Sequence, residues 1–150
     1  MILGLNERPQ DAVAAIDASG AVLRYGELLS FSERIGSLLP VRSLLFLLTE
    51  NNVGGIAWGM GSIHSGNVPL ILNAHIEEGL YHNLFEIYRP SYVCLPTRMA
   101  SALRYEIVCE CYGYTLLHTG MEPCTLHADL SHLLPTSGST GSPKLVRHKY

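Results

Sequence analysis

The chain has 150 residues, of which 15% are charged and 47% hydrophobic, with a formal net charge of −3. That length supports one domain with a sizeable core, and that composition is too apolar for a disordered chain. The mild negative charge offers no basis for expecting nucleic acid or an anionic membrane as partner, and no apolar run approaches the roughly 20 residues a bilayer span needs. The start, "MILGLNERPQ", has neither a basic segment nor a long apolar stretch. No signal peptide is therefore expected, and the expected location is the cytoplasm.

In chain order, "AVAAIDASGAVLRY" predicts two short strands around the turn-forming set Asp17-Ala18-Ser19-Gly20. "GELLSFSERIGSLLP" predicts an amphipathic helix with Leu28, Phe31, Ile35, Leu38 and Leu39 on one face, ended by Pro40. The run 43–49, "SLLFLLT", suits a strand buried on both faces of a parallel sheet. Residues 51–65, "NNVGGIAWGMGSIHS", read as a helix despite four glycines. Each costs up to about 1 kcal/mol against alanine in a helix interior, so they are expected to mark close packing against the sheet. Gly66 is expected to cap this helix in the left-handed conformation, and "VPLILN" is the next strand.

"HIEEGLYHNLFEIYRP" predicts a helix with Ile76, Leu80, Leu84, Ile87 and Tyr88 on one face. Glu77 and Glu78 stand in its first turn and Arg89 in its last, as the helix dipole favours, and Pro90 stops it. "SYVCLP" is a third strand of the buried type; a short helix over 97–104 and strands over 107–111 and 114–118 follow. Strands alternating with helices at this spacing predict an α/β fold with an open, mostly parallel sheet flanked by helices. The strands 43–49, 68–72 and 91–95 are expected to be parallel neighbours.

Cys94, Cys109, Cys111 and Cys124 show no zinc spacing, since Cys109-Glu110-Cys111 is too tight and no second pair follows. His127 and His132 flank an aspartate, Asp129, and read as surface residues. The richest chemistry lies in "LLPTSGSTGSPKLV", residues 133–146. Thr136, Ser137, Ser139, Thr140 and Ser142 offer hydroxyls. Gly138 and Gly141 let backbone N–H groups approach a ligand, and Lys144 adds a point charge. Backbone donors, hydroxyls and one ammonium together suit a polyphosphate.

This is not a Walker A loop, because Pro143 separates Gly141 from Lys144 and Leu145 follows the lysine. Nor is it a dinucleotide fingerprint: Gly59-Met60-Gly61 begins one, but His64 occupies the third glycine position. A Gly/Ser-rich stretch is also what a flexible linker looks like. The apolar flanks Leu133-Leu134 and Leu145-Val146 read instead as strand ends, and "KLVRH" alternates like a strand.

"TSGSTGSPKLV" resembles the signature loop of the AMP-forming, adenylate-forming ligases: acyl- and aryl-CoA synthetases, firefly luciferase and the adenylation domains of non-ribosomal peptide synthetases. The match is nearly unbroken from Thr136 to Lys144. "LRYGELLSFSERIGSLL" resembles the family's early "TYxEL" helix, and "ENNVGGIAWGMGSIHSGNVPLILN" its helix ending in Ala/Ser-Gly before a Pro-bearing strand. "NLFEIYRPSYVCLP" resembles the helix and strand that precede the loop. The similarity spans roughly residues 11–148, strong in the loop and weak elsewhere. Arg24 stands where the family usually has Thr, Leu145 where Gly is frequent, and Tyr150 where many members have His.

The resemblance implies an ATP-dependent ligase. A carboxylate and ATP give an acyl-adenylate and pyrophosphate, and a thiol of coenzyme A or of a carrier protein takes the acyl group. It assigns Thr136, Ser137, Gly138, Ser139, Thr140 and Gly141 to a cradle for the departing phosphates, with Lys144 on the terminal one and Mg2+ accompanying the nucleotide. It also implies that residues 1–150 are the N-terminal part of an AMP-binding domain of several hundred residues, truncated after the phosphate loop. The catalytic groups would lie beyond, this portion alone would be inactive, and it would present an apolar face prone to self-association. A non-catalytic α/β interaction or nucleotide-binding module, and a flavodoxin-like binding protein, are the alternatives the residues leave open.

Overall fold

The computed structural model describes residues 2–40, 42–136 and 145–150. After a 3-10 turn over Ile2–Glu7, β1 (Val13–Ile16) and β2 (Val22–Arg24) form an antiparallel hairpin around Asp17-Ala18-Ser19-Gly20, where Gly20 takes φ +86°. The chain then alternates: α1 (Tyr25–Leu38), β3 (Leu44–Thr49), α2 (Val53–His64), β4 (Val68–Asn73), α3 (Glu78–Tyr88), β5 (Tyr92–Pro96) and α4 (Thr97–Ala100). It finishes with β6 (Glu106–Cys111), β7 (Tyr114–His118), β8 (Leu130–Pro135) and β9 (Leu145–Lys149).

Seven strands form the main sheet in the order β6-β7-β5-β3-β4-β8-β9. Its centre, β5-β3-β4-β8, is parallel, as the continuous apolar runs predict; β7, β6 and β9 add antiparallel edges. Leu44 to Leu48 are all buried, because β3 is covered on both faces. Leu45 and Leu47 pack with Leu28, Phe31, Ile35 and Trp58 of α1 and α2. Leu44, Phe46 and Leu48 pack with Leu84 and Phe85 of α3 on the other face.

Two helix faces differ from the pattern expected. In α1, Leu28, Phe31 and Ile35 are buried but Leu38 is 37% exposed. Leu39 fills the core instead, because it follows the last helical residue in an extended conformation and turns inward. In α3, Ile87 is 64% exposed while Phe85 is buried. The apolar face is rotated toward Tyr81 and Phe85, which meet Phe46 in edge-on ring contacts. Arg89 stands one residue past the end of α3 as a left-handed cap at φ +45°.

Two of the four α2 glycines, Gly54 and Gly55, mark close approach to the sheet and its loops, while Gly59 makes only ordinary contacts with it. A Cβ on Gly54 would lie 2.2 Å from the Tyr112 carbonyl oxygen, and one on Gly55 2.7 Å from that of Glu50. Gly61 lets α2 press on Ile35 and Phe31 of α1, and Gly66 follows the helix at φ +85°. The unusual Arg24 leaves α1 without an acceptor side chain at its cap. Glu27 compensates in part, accepting the Arg24 N–H at 2.7 Å, while the guanidinium reaches back to the Asp11 carbonyl.

Candidate functional site

The strand registers place four chain exits in one row. Thr49 pairs with Asn73. Counting on from Leu47↔Cys94 puts Pro96 level with Thr49, and counting on from Leu70↔Leu133 puts Thr136 level with Asn73. The C-terminal ends of β5, β3, β4 and β8 therefore lie side by side, at about 4.8 Å per strand. After β3 the chain turns to α2 on one face; after β4 it turns to α3 on the other. That divergence between neighbouring strands is the switch point where open α/β sheets bind ligands.

Polar side chains gather there. Glu50, just past β3, takes a hydrogen bond from Arg98 at the start of α4, and His75, just past β4, lies 3.4 Å from the same Oε1. The Arg98 hydrogen bond holds the Glu50 carboxyl below its ordinary range, and the partnership raises Arg98 in turn. Behind them Tyr114 fixes the turn into α2. Its hydroxyl accepts the Glu50 N–H at 3.0 Å and donates to Asn52 Oδ1 at 2.9 Å, which also accepts the Gly55 N–H. Burial pushes the Tyr114 phenol up, so it stays a donor.

Thr136, the first residue of the signature stretch, is exposed at the end of this row. Ser137, Gly138, Ser139, Thr140, Gly141 and Lys144 lie outside the described residues. Their flanks are strands as expected: Pro135 of β8 pairs with Leu145 of β9, so residues 136–144 join the two strands.

Beside the row runs a groove of about 1160 Å3 between α2 and the β8–β9 hairpin. Ile16, Ile56, Met60, Ile63, Ile71 and Leu134 give it an apolar floor. Ile16, Ile56 and Met60 are 63%, 41% and 40% exposed, an apolar surface that no other described residue covers. Asp17, Glu50, Asn51 and Asn52 stand at one end, Ser131, His132, Lys149 and Tyr150 at the other.

Glu50, His75 and Arg98 were not singled out by sequence reasoning. Their one local signal is position, each within two residues of the end of an apolar strand. The cysteines are free thiols; Cys94 is fully buried and burial drives its pKa up. His127 and Asp129 interact only at the surface. Among the described residues no group of three His, Cys, Asp or Glu could hold a metal ion, and no helix is long and apolar enough to cross a membrane.

No protein-family model matches the sequence, and no curated protein matches it either. Solved structures do match the fold. MatB from Rhodopseudomonas palustris is 18% identical at a TM-score of 0.69, over 97% of this chain and 33% of its own. The O-succinylbenzoate coenzyme A synthetase MenE from Bacillus subtilis, in complex with AMP, is 15% identical at 0.70, over 99% and 41%. The nonribosomal peptide synthetase FmoA3, in an α-methyl-L-serine-AMP bound form, is 22% identical at 0.67, over 95% and 16%. The chain has the fold of the adenylate-forming ligase domain, and it spans a third of the MatB chain and about two-fifths of MenE.

Proposed function

We propose that this chain is the N-terminal, phosphate-binding portion of an AMP-binding domain in an ATP-dependent carboxylate-activating ligase. One observation carries the reading. The hairpin β8–β9 brings both ends of the stretch 136–144 to the edge where β3, β4 and β5 also end. That is where an α/β sheet binds its ligand, and the stretch has the residue types a polyphosphate needs. The ATP- and AMP-bound states among the structural neighbours agree with it.

In the reaction, a carboxylate oxygen attacks the α-phosphorus of ATP, forming an acyl-adenylate and releasing pyrophosphate. A thiol then attacks the acyl carbon, forming a thioester and releasing AMP. Thr136 to Gly141 and Lys144 would meet negative charge as it develops on the departing pyrophosphate, the place where fixed donors accelerate such a step. Magnesium would arrive with the nucleotide, and no described residue is assigned to it. Placing the carboxylate in line falls to groups outside residues 1–150, and alignment of that kind is worth roughly 7–11 kcal/mol at best. Coenzyme A or a carrier protein is the thiol acceptor in this reading, the groove is covered by further polypeptide of the enzyme or by a second copy, and the cytoplasm is the setting.

Titration calorimetry with pyrophosphate tests it. A few exposed contacts net about 4 kcal/mol, an affinity near millimolar. Lys144→Ala should abolish the binding with the fold intact, and residues 1–150 alone should show no carboxylate-dependent ATP–pyrophosphate exchange. Equal pyrophosphate binding by the Lys144→Ala chain would remove the assignment.

A further inference from the structure

His132 of β8 and His148 of β9 are cross-strand partners, and their rings stack face to face with centroids 4.4 Å apart and planes within 3°. Ser131 ties the pair together. Its hydroxyl donates to the His148 carbonyl at 3.1 Å and lies 2.8 Å from His132 Nδ1. Two neutral imidazoles stack at this distance without penalty; two imidazolium ions would repel face to face.

The hairpin that carries this pair lies at one end of the sheet. Among the described residues β9 pairs with β8 alone, and β8 pairs in turn with β4. At the foot of the hairpin Arg42 donates to the carbonyls of Leu130 and His127 and lies 3.4 Å from the Tyr150 hydroxyl. Arg42 holds φ +68°, a left-handed conformation that a non-glycine residue adopts at a cost.

We propose that the His132–His148 stack is a proton-sensitive latch on the β8–β9 hairpin, closed when both rings are neutral and released when both carry charge. Among the described residues no acid is paired with either ring. Arg147 and Lys149 flank His148 in the chain, and Arg42 stands at the foot. Asp129 there is 3.9 Å from His127, its own partner. β4 carries no titratable side chain and α2 carries His64 alone. In the groove that His132 lines, the acids are Asp17 and Glu50, each already bonded elsewhere. Burial, and then the charge of His148, holds His132 below its ordinary value. The sign follows: the folded hairpin binds fewer protons than the open one, so closure is favoured above the reference value of 6.5 and is lost as pH falls below it. The latch itself does not depend on the ligase reading.

Hydrogen exchange of the 150-residue chain, read by mass spectrometry at pH 7.5 and 5.5 and corrected for intrinsic rates, tests the latch. The β9 amides should lose about tenfold in protection at the lower pH while β3 stays unchanged. His148→Phe keeps a ring in the stack and removes its charge, and its β9 protection should fall distinctly less at the lower pH, the burial of His132 being the part that remains. Unchanged wild-type protection, or an equal loss in His148→Phe, overturns the proposal. Should that variant fail to fold, a nuclear magnetic resonance titration of the wild-type imidazoles decides. Two coupled steps are expected, and two independent, identical titrations overturn it.

Discussion

Asp17 Oδ2 accepts the backbone N–H of Val53 at 3.0 Å, across 36 positions of sequence. The carboxylate at the tip of the β1–β2 hairpin thus satisfies a first-turn donor of α2, while its other oxygen accepts from the Ser19 N–H, the Ser19 hydroxyl and the Ala21 N–H. One side chain both closes its own turn and fastens the hairpin to the helix that walls the groove.

These bonds, the Ser19 hydroxyl first and Val53 second, hold the Asp17 carboxyl below its reference value of 3.8. A depressed carboxylate contributes stability that is present above the unfolded value and is lost as pH falls through the folded one. Calorimetric melting from pH 7 to pH 2.5 should therefore show a wild-type loss beginning near pH 3.8 that is smaller in Asp17→Asn. The variant should also melt lower than wild type at pH 7. Identical melting curves across the range would mean the bond to Val53 contributes nothing.

The α2 glycines divide into two kinds. At Gly54 an added Cβ would meet the Tyr112 carbonyl oxygen at 2.2 Å and the Tyr114 ring at 2.6 Å; at Gly59 its nearest neighbour is the Leu47 methyl at 3.7 Å. Gly54→Ala should cost about 1–3 kcal/mol, as overpacking against backbone does. Gly59→Ala should stabilise by about 0.5–1 kcal/mol through helix propensity. Urea unfolding midpoints measure both, and a destabilised Gly59→Ala would mean that the Leu47 and Ile71 methyls do not accept the added Cβ at these ordinary contact distances.

Tyr81 offers a simpler test. Its hydroxyl is buried without a hydrogen-bond partner among the described residues, and burial pushes its pKa up to about 12. An unsatisfied buried hydroxyl costs about 1–3 kcal/mol. Tyr81→Phe keeps the ring contacts with Phe46 and Phe85 and should stabilise the chain by about 1 kcal/mol. A loss of stability on urea unfolding would reveal a partner for the hydroxyl.

How far the sequence was legible depended on range. β3, β4 and β5 stand out because burial on both faces demands continuous apolar runs, and "LLFLLT", "VPLILN" and "YVCLP" are such runs. The buried face of α3 takes Phe85 rather than Ile87, two positions on, and the pattern does not separate them because both are strongly apolar. The choice between them is made by Phe46 and Tyr105, which neighbour Phe85 from other elements. The Arg98–Glu50–His75 row is assembled from three strand exits, so no local spacing reveals it. The stretch from Thr136 to Lys144, proposed as a phosphate loop, needed no tertiary information to stand out, since its residue types are contiguous.

The groove gives the last prediction. Its apolar floor gathers Ile16, Ile56 and Met60, each with a large part of its surface exposed, which is the kind of surface another polypeptide can cover. Met60, 40% exposed on α2, lies on that floor and contributes little to the core beneath. Wild-type chain should therefore associate as concentration rises, with a dissociation constant on the order of 10 μM, equivalent to about 7 kcal/mol. Met60→Glu places a charge where the covering surface would sit and should weaken association at least about tenfold, while changing folding stability by no more than about 0.5 kcal/mol. Sedimentation velocity from 1 to about 200 μM, a range that brackets that constant, separates the cases. A wild-type chain that remains monomeric throughout would show that the groove is content to face water, and equal association by Met60→Glu would move the contact to another face, with the exposed Ile87 on α3 the next place to substitute.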